Sequence, residues 1–357
     1  MLRVCVIGLG KIGNLHASIY AEDELVELVG VCDILEDRAK AASRRLGVPY
    51  YLDAPTMLRE LKPDLVSVCV PNAFHKQYIR LALEHGVHVL CEKPVAVTYA
   101  DAVELYNLAE KQGILLMACQ TMRYTPDRLA LKKFIQDGHV GDIYHAEFSR
   151  IRRRGIPFWG TFHMKKFSCG GAMIDIGVHM LDAMLWLMGN PAVESVTGNA
   201  MKNYAHELGD FVSSGARTGS VANVRKFDPE EMDVEDFAAG TIRFQNGTMA
   251  NFTCAWAANL PESSEIRIIG QKRGVFIPDG SIWMGAEGQE QLEILPDPFE
   301  KEPFPGHFHV IHHLADVFTK DVLPEITPEQ TIQVSSILDM FYRSATLKRT
   351  VCFEELL

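Results

Sequence analysis

The chain has no CxxC pair, no run of 18 consecutive apolar residues and no surplus of basic residues. Its eight cysteines are scattered, and Cys5, Cys69 and Cys254 lie inside apolar strand-like runs. That pattern reads as reduced, buried thiols in a cytoplasmic protein. The missing apolar run removes the expectation of a membrane-spanning helix. The start, "MLRVCVIGLGKIG", runs from a strand into glycines and lacks the charged head, longer apolar region and small-residue cleavage site of a signal peptide. With 35 Lys+Arg against 46 Asp+Glu, the net charge of -11 disfavours non-specific contact with nucleic acid. The one basic run, "SRIRRRG" from Ser149 to Gly155, reads as a solvated or oligomer-facing stretch.

What is present is a soluble globular balance. The 357 residues are 47% apolar and 23% charged, too many for one ordinary core and enough for two domains. "LRVCVIGLGKIGNLHA" is a β-branched strand followed by Gly8, Gly10 and Gly13 at GxGxxG spacing, then a helix. Gly8 permits a tight turn, Gly10 lets the backbone approach a pyrophosphate, and Gly13 lets helix and strand pack closely. Lys11 and Ile12 fall at the helix N-terminus, which faces phosphates. Asp33 ends the next strand, "LVELVGVCDI", where a carboxylate either accepts the adenosine ribose hydroxyls or serves as a turn or cap residue. No arginine follows immediately, the nearest being Arg38, so the reading is NAD rather than NADP.

Strands and helices then alternate through "PDLVSVCVPNAFHKQYIRLALEHGVHVLCEKP", implying a parallel sheet whose ligands lie beyond the carboxyl ends of the strands. Pro71, Asn72 and His75 follow one such end; Glu92, Lys93 and Pro94 follow another. Oxidation of an alcohol requires removal of its proton and stabilisation of the oxygen, and a lysine at a cofactor crevice serves either role. Proline restricts the residue before it to extended geometry, which fixes where Lys93 points. The bland alternative is a surface lysine paired with Glu92.

A second constellation lies in "SCGGAMIDIGVHMLDAMLWLMGNP", helical in period after Gly171 and stopped by Gly189 and Pro191. Asp175 and His179 are four apart and share a face, a carboxylate and an imidazole able to bind a hydroxyl and relay its proton. A capping Asp and a packed His are the alternative.

Together "GLGKIGNLHA", "CEKP" and "GGAMIDIGVH", in that order, resemble the inositol dehydrogenase and glucose–fructose oxidoreductase superfamily, the Gfo/Idh/MocA family. The resemblance covers nearly the whole chain. It implies an α/β protein with an N-terminal Rossmann domain (residues 1–122) and a C-terminal α/β domain (123–357) with a large, mostly antiparallel sheet for substrate binding and oligomerisation. It also implies a commonly cis EKP bond beside the nicotinamide, a catalytic Lys93, and Asp175 and His179 binding and deprotonating substrate. "QTMRYTP" adds Gln120 on the cofactor side and Arg123 and Tyr124 as substrate candidates. A homodimer or homotetramer is implied as well.

From about residue 139 the period turns to two, giving an antiparallel sheet of about six strands or more, with "FQNGTMA" as a hairpin. Within "IPFWGTFHMKKFS", Trp159 and His163 either shape the substrate pocket or pack over the sheet. "PFPGHFHVIHH" holds His307, His309, His312 and His313, but no Cys or carboxylate stands at ligand spacing, so no metal is expected. The closing helices should pack back on the sheet.

The expectation is an NAD-dependent oxidoreductase converting a ring hydroxyl of a sugar or cyclic polyol to a ketone, inositol-type or glycoside C3-type. The alternatives are a glycoside-3-oxidising enzyme with recycled NAD that initiates O- or C-glycoside cleavage, and a non-catalytic NAD-binding protein.

Overall fold

Strands whose residues are apolar on both faces can be satisfied only in the middle of a layered sheet. Val4, Cys5 and Val6 of β1 (Leu2–Ile7) are fully buried, as are Leu65, Val66 and Val68 of β4 (Leu65–Val68). They sit beside β2 (Val26–Cys32), β3 (Tyr50–Tyr51), β5 (His88–Cys91) and β6 (Leu116–Ala118) in a parallel sheet of order β3-β2-β1-β4-β5-β6. The strand order reverses between β1 and β4, and the loops after β1, β4, β5 and β6 carry the glycines, Pro71–His75, Glu92–Pro94 and Gln120. The computed structural model describes residues 1–157, 160–204, 228–277, 281–284, 288–320 and 322–357.

The first compact unit comprises Met1–Ala96, Ala100–Thr125 and Asp297–Ile332. Its last piece is the helix Pro305–Thr319, whose Val310, Ile311 and Leu314 enter the same core as Tyr124 and the parallel strands. That helix therefore belongs to the parallel-sheet unit and not to the second sheet, because its apolar stripe completes the first core. Gly306 makes the approach possible: a Cβ there would stand 2.8 Å from the Thr121 carbonyl oxygen.

The second unit comprises Val97–Tyr99, Pro126–Pro296 and Gln333–Leu357. Among the described residues nine strands form its sheet: β7 (Ile143–Ile151), β8 (Val193–Met201), β9 (Phe237–Phe244), β10 (Met249–Ala255), β11 (Ser263–Gly270), β12 (Arg273–Ile277), β13 (Ser281–Met284), β14 (Gly288–Gln291) and β15 (Val351–Cys352). The order is β14-β13-β12-β11-β7-β10-β9-β8-β15, antiparallel except for the parallel pair β7–β10. The expected hairpin joins β9 and β10. Gly247 N–H donates to the Phe244 carbonyl at 3.0 Å, and Gly247 alone carries a positive φ, +85°. Asn246 does not share that conformation, so the connection is a turn closed by a left-handed glycine and not a two-residue tight turn.

Alternation along β7 and β10 turns Ala146, Phe148, Ala250, Phe252 and Cys254 inward. Phe148 stacks on Phe252 at 5.5 Å, and Phe252 meets Phe341 edge-on at 5.6 Å. Gly198 clears the way, since a Cβ there would meet the Phe341 ring at 2.3 Å. The helical stretch Lys165–Leu187 is long and apolar enough to cross a membrane, but 89% of its most apolar window is buried, as in the core helix of a globular unit.

Candidate active site

The glycine loop behaves as its spacing predicts. Gly8 has φ +89°, and a Cβ there would stand 2.7 Å from the Cys69 carbonyl oxygen. A Cβ on Gly13 would collide with the Gly8 carbonyl oxygen at 1.8 Å. At Gly10 nothing lies within 4 Å of that position. The first and third glycines are demanded by the fold itself, while the second leaves open space at the start of the helix Lys11–Glu22, where a pyrophosphate would lie.

Asp33 is 7% exposed and secures this loop. Its Oδ2 accepts the Leu9 N–H at 2.7 Å, and its Oδ1 accepts the Leu35 N–H at 2.8 Å. Each oxygen keeps a further lone pair for a ribose hydroxyl. Arg38 is exposed on the following helix, Lys11 has its ammonium 4.9 Å from the Phe304 ring, and Ile12 is half-buried.

Beyond β4, Pro71 is exposed and Asn72 half-buried, while the His75 ring is fully enclosed. Its Nδ1 lies 2.7 Å from the Pro94 carbonyl oxygen and its Nε2 2.9 Å from that of Val70. Burial pulls the His75 pKa below its ordinary value, against the two carbonyls. His75 thus ties the loop after β4 to the EKP loop after β5. The Lys93–Pro94 bond is cis and Lys93 is half-buried. Glu92 Oε1 lies 3.1 Å from His16 Nε2 and 3.3 Å from His307 Nε2. Burial would raise its pKa, but the two imidazoles hold its carboxyl well below the usual range.

Gln120 is 2% exposed, with no hydrogen-bond partner for its Oε1 among the described residues. Arg123 is 1% exposed and donates to Gln330 Oε1, and the Tyr124 ring packs 5.2 Å from that of His313. These contacts hold the Arg123 and Tyr124 side chains within the first unit.

In the second unit, every residue from Gly170 to Leu187 is buried except Asp175 and His179. The chain enters this stretch through Gly171, where a Cβ would meet the Glu235 carbonyl oxygen at 1.9 Å. One π turn, Met173–Gly177, closes with Val178 N–H bonded to the Met173 carbonyl, and the α-helix Val178–Leu187 continues it. Such turns recur at functional positions, because they re-aim side chains within a helix. Trp256 Nε1–H donates to Asp175 Oδ2 at 2.9 Å, and Arg152 reaches the same oxygen at 3.8 Å. Asp182, two turns on from Asp175, is fully buried. His163 is 2% exposed, with Nε2 3.9 Å from Glu231 Oε2. Trp159 lies outside the described residues, as do 205–227.

Arg150, Arg152 and Trp256 were not singled out by the sequence reading. The run "SRIRRRG" is not simply a solvated face, because Arg150 and Arg152 continue the inward side of β7 set by Ala146 and Phe148. Burial lowers the Arg150 pKa, with Arg152 and Arg128 adding to the effect and Asp175 opposing it. The signal was the two-residue alternation running on into the arginines.

Residues 2–119 match the model of the Gfo/Idh/MocA oxidoreductase family, NAD-binding Rossmann fold, and residues 129–276 match the Gfo/Idh/MocA C-terminal domain. The chain is a Gfo/Idh/MocA oxidoreductase. Over 292 residues this family member is 37% identical to D-glucoside 3-dehydrogenase of Escherichia coli (strain K12), covering 81% of this chain and 80% of the relative. It is 24% identical over 360 residues to glucose-6-phosphate 3-dehydrogenase of Bacillus subtilis (strain 168), covering 98% and 95%. Its fold matches that of levoglucosan dehydrogenase, solved with NADH and levoglucosan, at a TM-score of 0.82 with 19% identity over 99% of each chain. The family assignment makes the first unit an NAD-binding domain, and the open space at Gly10 with Asp33 at the end of β2 fits that cofactor.

Proposed function

We propose that this Gfo/Idh/MocA enzyme oxidises the C3 hydroxyl of a glucoside or related hexose to a ketone. The observation that carries the reading is the Asp175–His179 pair, the two positions left unburied in an otherwise buried stretch. The names of the two 3-dehydrogenase relatives support position 3 over inositol. When bound, NAD accepts the hydride from the carbon bearing the hydroxyl. His179 takes the hydroxyl proton, Lys93 hydrogen-bonds the oxygen as its charge develops, and Asp175, held by Trp256 and Arg152, anchors a neighbouring hydroxyl. The carbon loses a hydride and its oxygen a proton, leaving C=O. Arg123, Tyr124, Trp159 and His163 belong to the substrate side of this proposal. Gly8, Gly10, Lys11, Ile12, Gly13, Asp33, Arg38, Pro71, Asn72, His75, Glu92 and Gln120 belong to the cofactor side.

The same reading places the enzyme in the cytoplasm as a homodimer or homotetramer. Trp283, 55% exposed on β13, supports a covered sheet face, and light scattering of the purified protein tests it.

The test uses enzyme at a concentration equal to NAD, with near-ultraviolet absorbance of NADH as the readout. Glucose, O- and C-glucosides and myo-inositol are added in turn. A burst with a glucoside, lost in Lys93→Ala and His179→Ala while NAD still binds, is the expected result. NADH formed with myo-inositol alone would replace the glucoside reading. No burst with any of them would sink it.

A further inference from the structure

The histidine run that begins at His307 has no cysteine or carboxylate beside it in sequence, but the fold supplies both. One ligand atom each from His16, Glu92, Cys119 and His307 lies within 4.8 Å of all the others. His16 comes from the glycine-loop helix, Glu92 from the end of β5, Cys119 from the end of β6 and His307 from the helix Pro305–Thr319. All four lie in the first unit. His16 and Cys119 are fully buried, and His307 is 8% exposed. The other three histidines of the run are engaged elsewhere: His309 with Asp297, His312 with Asp23, and His313 with the Glu325 N–H.

Three of the donor–donor spacings match the edges of a tetrahedron around a small ion. His16 Nε2 and His307 Nε2 stand 3.1 and 3.3 Å from Glu92 Oε1, and Cys119 Sγ stands 3.9 Å from His16 Nε2. Zinc bonds of about 2.0 Å to nitrogen and oxygen and about 2.3 Å to sulfur set neighbouring donors roughly 3.3–3.5 Å apart. Each observed edge differs from that by a few tenths of an ångström.

Charge points the same way. The Glu92 carboxylate faces two imidazoles and, at 3.4 Å, the Lys93 backbone N–H. Among the described residues no lysine ammonium or arginine guanidinium pairs with it. A largely buried carboxylate (the Glu92 side chain is 12% exposed) without a fixed cation is costly. A divalent ion held by one carboxylate, one thiolate and two neutral imidazoles brings the formal charge of the site to zero. The support around His16 suits a ligand. Its Nδ1 lies 3.2 Å from Ser67 Oγ, itself 2.7 Å from the Tyr20 hydroxyl, so Ser67 can accept the Nδ1–H and leave the Nε2 lone pair for the ion.

We propose that His16, Glu92, Cys119 and His307 form a closed four-coordinate site for a soft divalent transition ion, zinc foremost. Mixed nitrogen and sulfur donors exclude calcium and magnesium, which take oxygen ligands. On binding, the Cys119 S–H bond breaks, its proton leaves to solvent and a sulfur–metal bond forms, with no change of oxidation state. Four protein donors leave no open position, so the ion is structural: it pins Glu92, the residue before Lys93. The proposal stands independently of the sugar substrate.

The test is made on the full chain, purified without chelators. Elemental analysis is expected to find about one zinc per chain. After chelation and dialysis, cobalt titration is expected to give both a thiolate-to-cobalt charge-transfer band and the visible bands of tetrahedral cobalt, reversed by zinc. Cys119→Ser should lose the charge-transfer band and weaken binding at least roughly tenfold, as should His307→Asn with the band retained. Zinc should raise the thermal midpoint of the wild-type chain more than that of either variant at the same zinc concentration. The wild-type titration decides the matter even if a variant fails to fold. A folded wild-type chain that holds no zinc and gives no charge-transfer band overturns the proposal. So does cobalt bound without that band, which would place the ion on surface histidines alone.

Discussion

The indole N–H of Trp256, the first residue after β10, donates to Asp175 Oδ2 at 2.9 Å from a fully buried ring. This bond fixes one carboxylate oxygen of a residue that four positions of helix separate from His179. Trp256→Phe keeps the ring and removes the donor. Hydrogen bonds to charged groups contribute about 1.5–3 kcal/mol, so kcat/KM for the sugar is expected to fall about tenfold to a hundredfold. The affinity for NAD, measured by fluorescence titration, should be unchanged. An equal loss in NAD affinity would mean that Trp256 supports the fold as a whole.

Gly10 and Gly13 make opposite predictions. Gly13→Ala places a methyl 1.8 Å from the Gly8 carbonyl oxygen and is expected to lower the thermal midpoint of the chain without cofactor. Gly10→Ala meets nothing within 4 Å and should leave that midpoint unchanged, yet weaken NAD binding by roughly tenfold or more. Calorimetry with and without NAD separates the two effects.

Half-buried Tyr342 and buried Glu235 form a pair under the glycine entry to the Asp175 helix. Glu235 accepts from the Gly171 N–H at 2.9 Å, the Met173 N–H at 3.1 Å and the Tyr342 hydroxyl at 2.8 Å. Burial pushes its carboxyl above the ordinary range, and these three donors restrain the rise. Tyr342→Phe removes one donor from a buried oxygen and should destabilise the chain by about 1–3 kcal/mol in urea unfolding. An unchanged urea midpoint would show that water replaces the hydroxyl.

Near the C-terminus, Arg349 grips Glu355 through two nitrogens, at 2.9 and 2.6 Å, and holds its carboxyl down to about 2 from 4.5, with the Cys352 N–H assisting. The folded pKa lies below the unfolded one. The pair therefore stabilises fully above about pH 4.5 and loses its effect as pH falls toward 2. The stability difference between the wild type and Glu355→Gln is expected to be flat from neutral pH down to about 5 and to shrink below that. The pair is exposed, so salt should diminish the difference. A difference that grew on acidification would reverse the assignment.

The local parts of the site were legible in the sequence because they depend on near neighbours. GxGxxG placed Gly8 and Gly13 by spacing alone, and the helical period singled out Asp175 and His179, the two half-buried positions of their stretch. Trp256 and Arg152 were hidden because they reach Asp175 through the parallel pairing of β7 with β10, strands about a hundred residues apart with Cys254 opposite Arg150. Arg150 and Arg152 look like a solvated basic run until they are counted onto the alternation of Ala146 and Phe148. His307 gave no sign of its partners, since Glu92, Cys119 and His16 all precede it by most of the chain.

The late return of the chain to its first unit has a consequence for biosynthesis. Val310, Ile311 and Leu314 fill the same core as β1, β4 and β5, so residues 1–125 emerge from the ribosome with part of that core uncovered. They must wait through the translation of eight of the nine strands of the second sheet, β7 to β14, before the helix Pro305–Thr319 arrives. A nascent chain stalled near residue 160 should present that apolar wall to chaperones and proteases, and protection should appear only when the stall point moves past about residue 350, once that helix has cleared the exit tunnel.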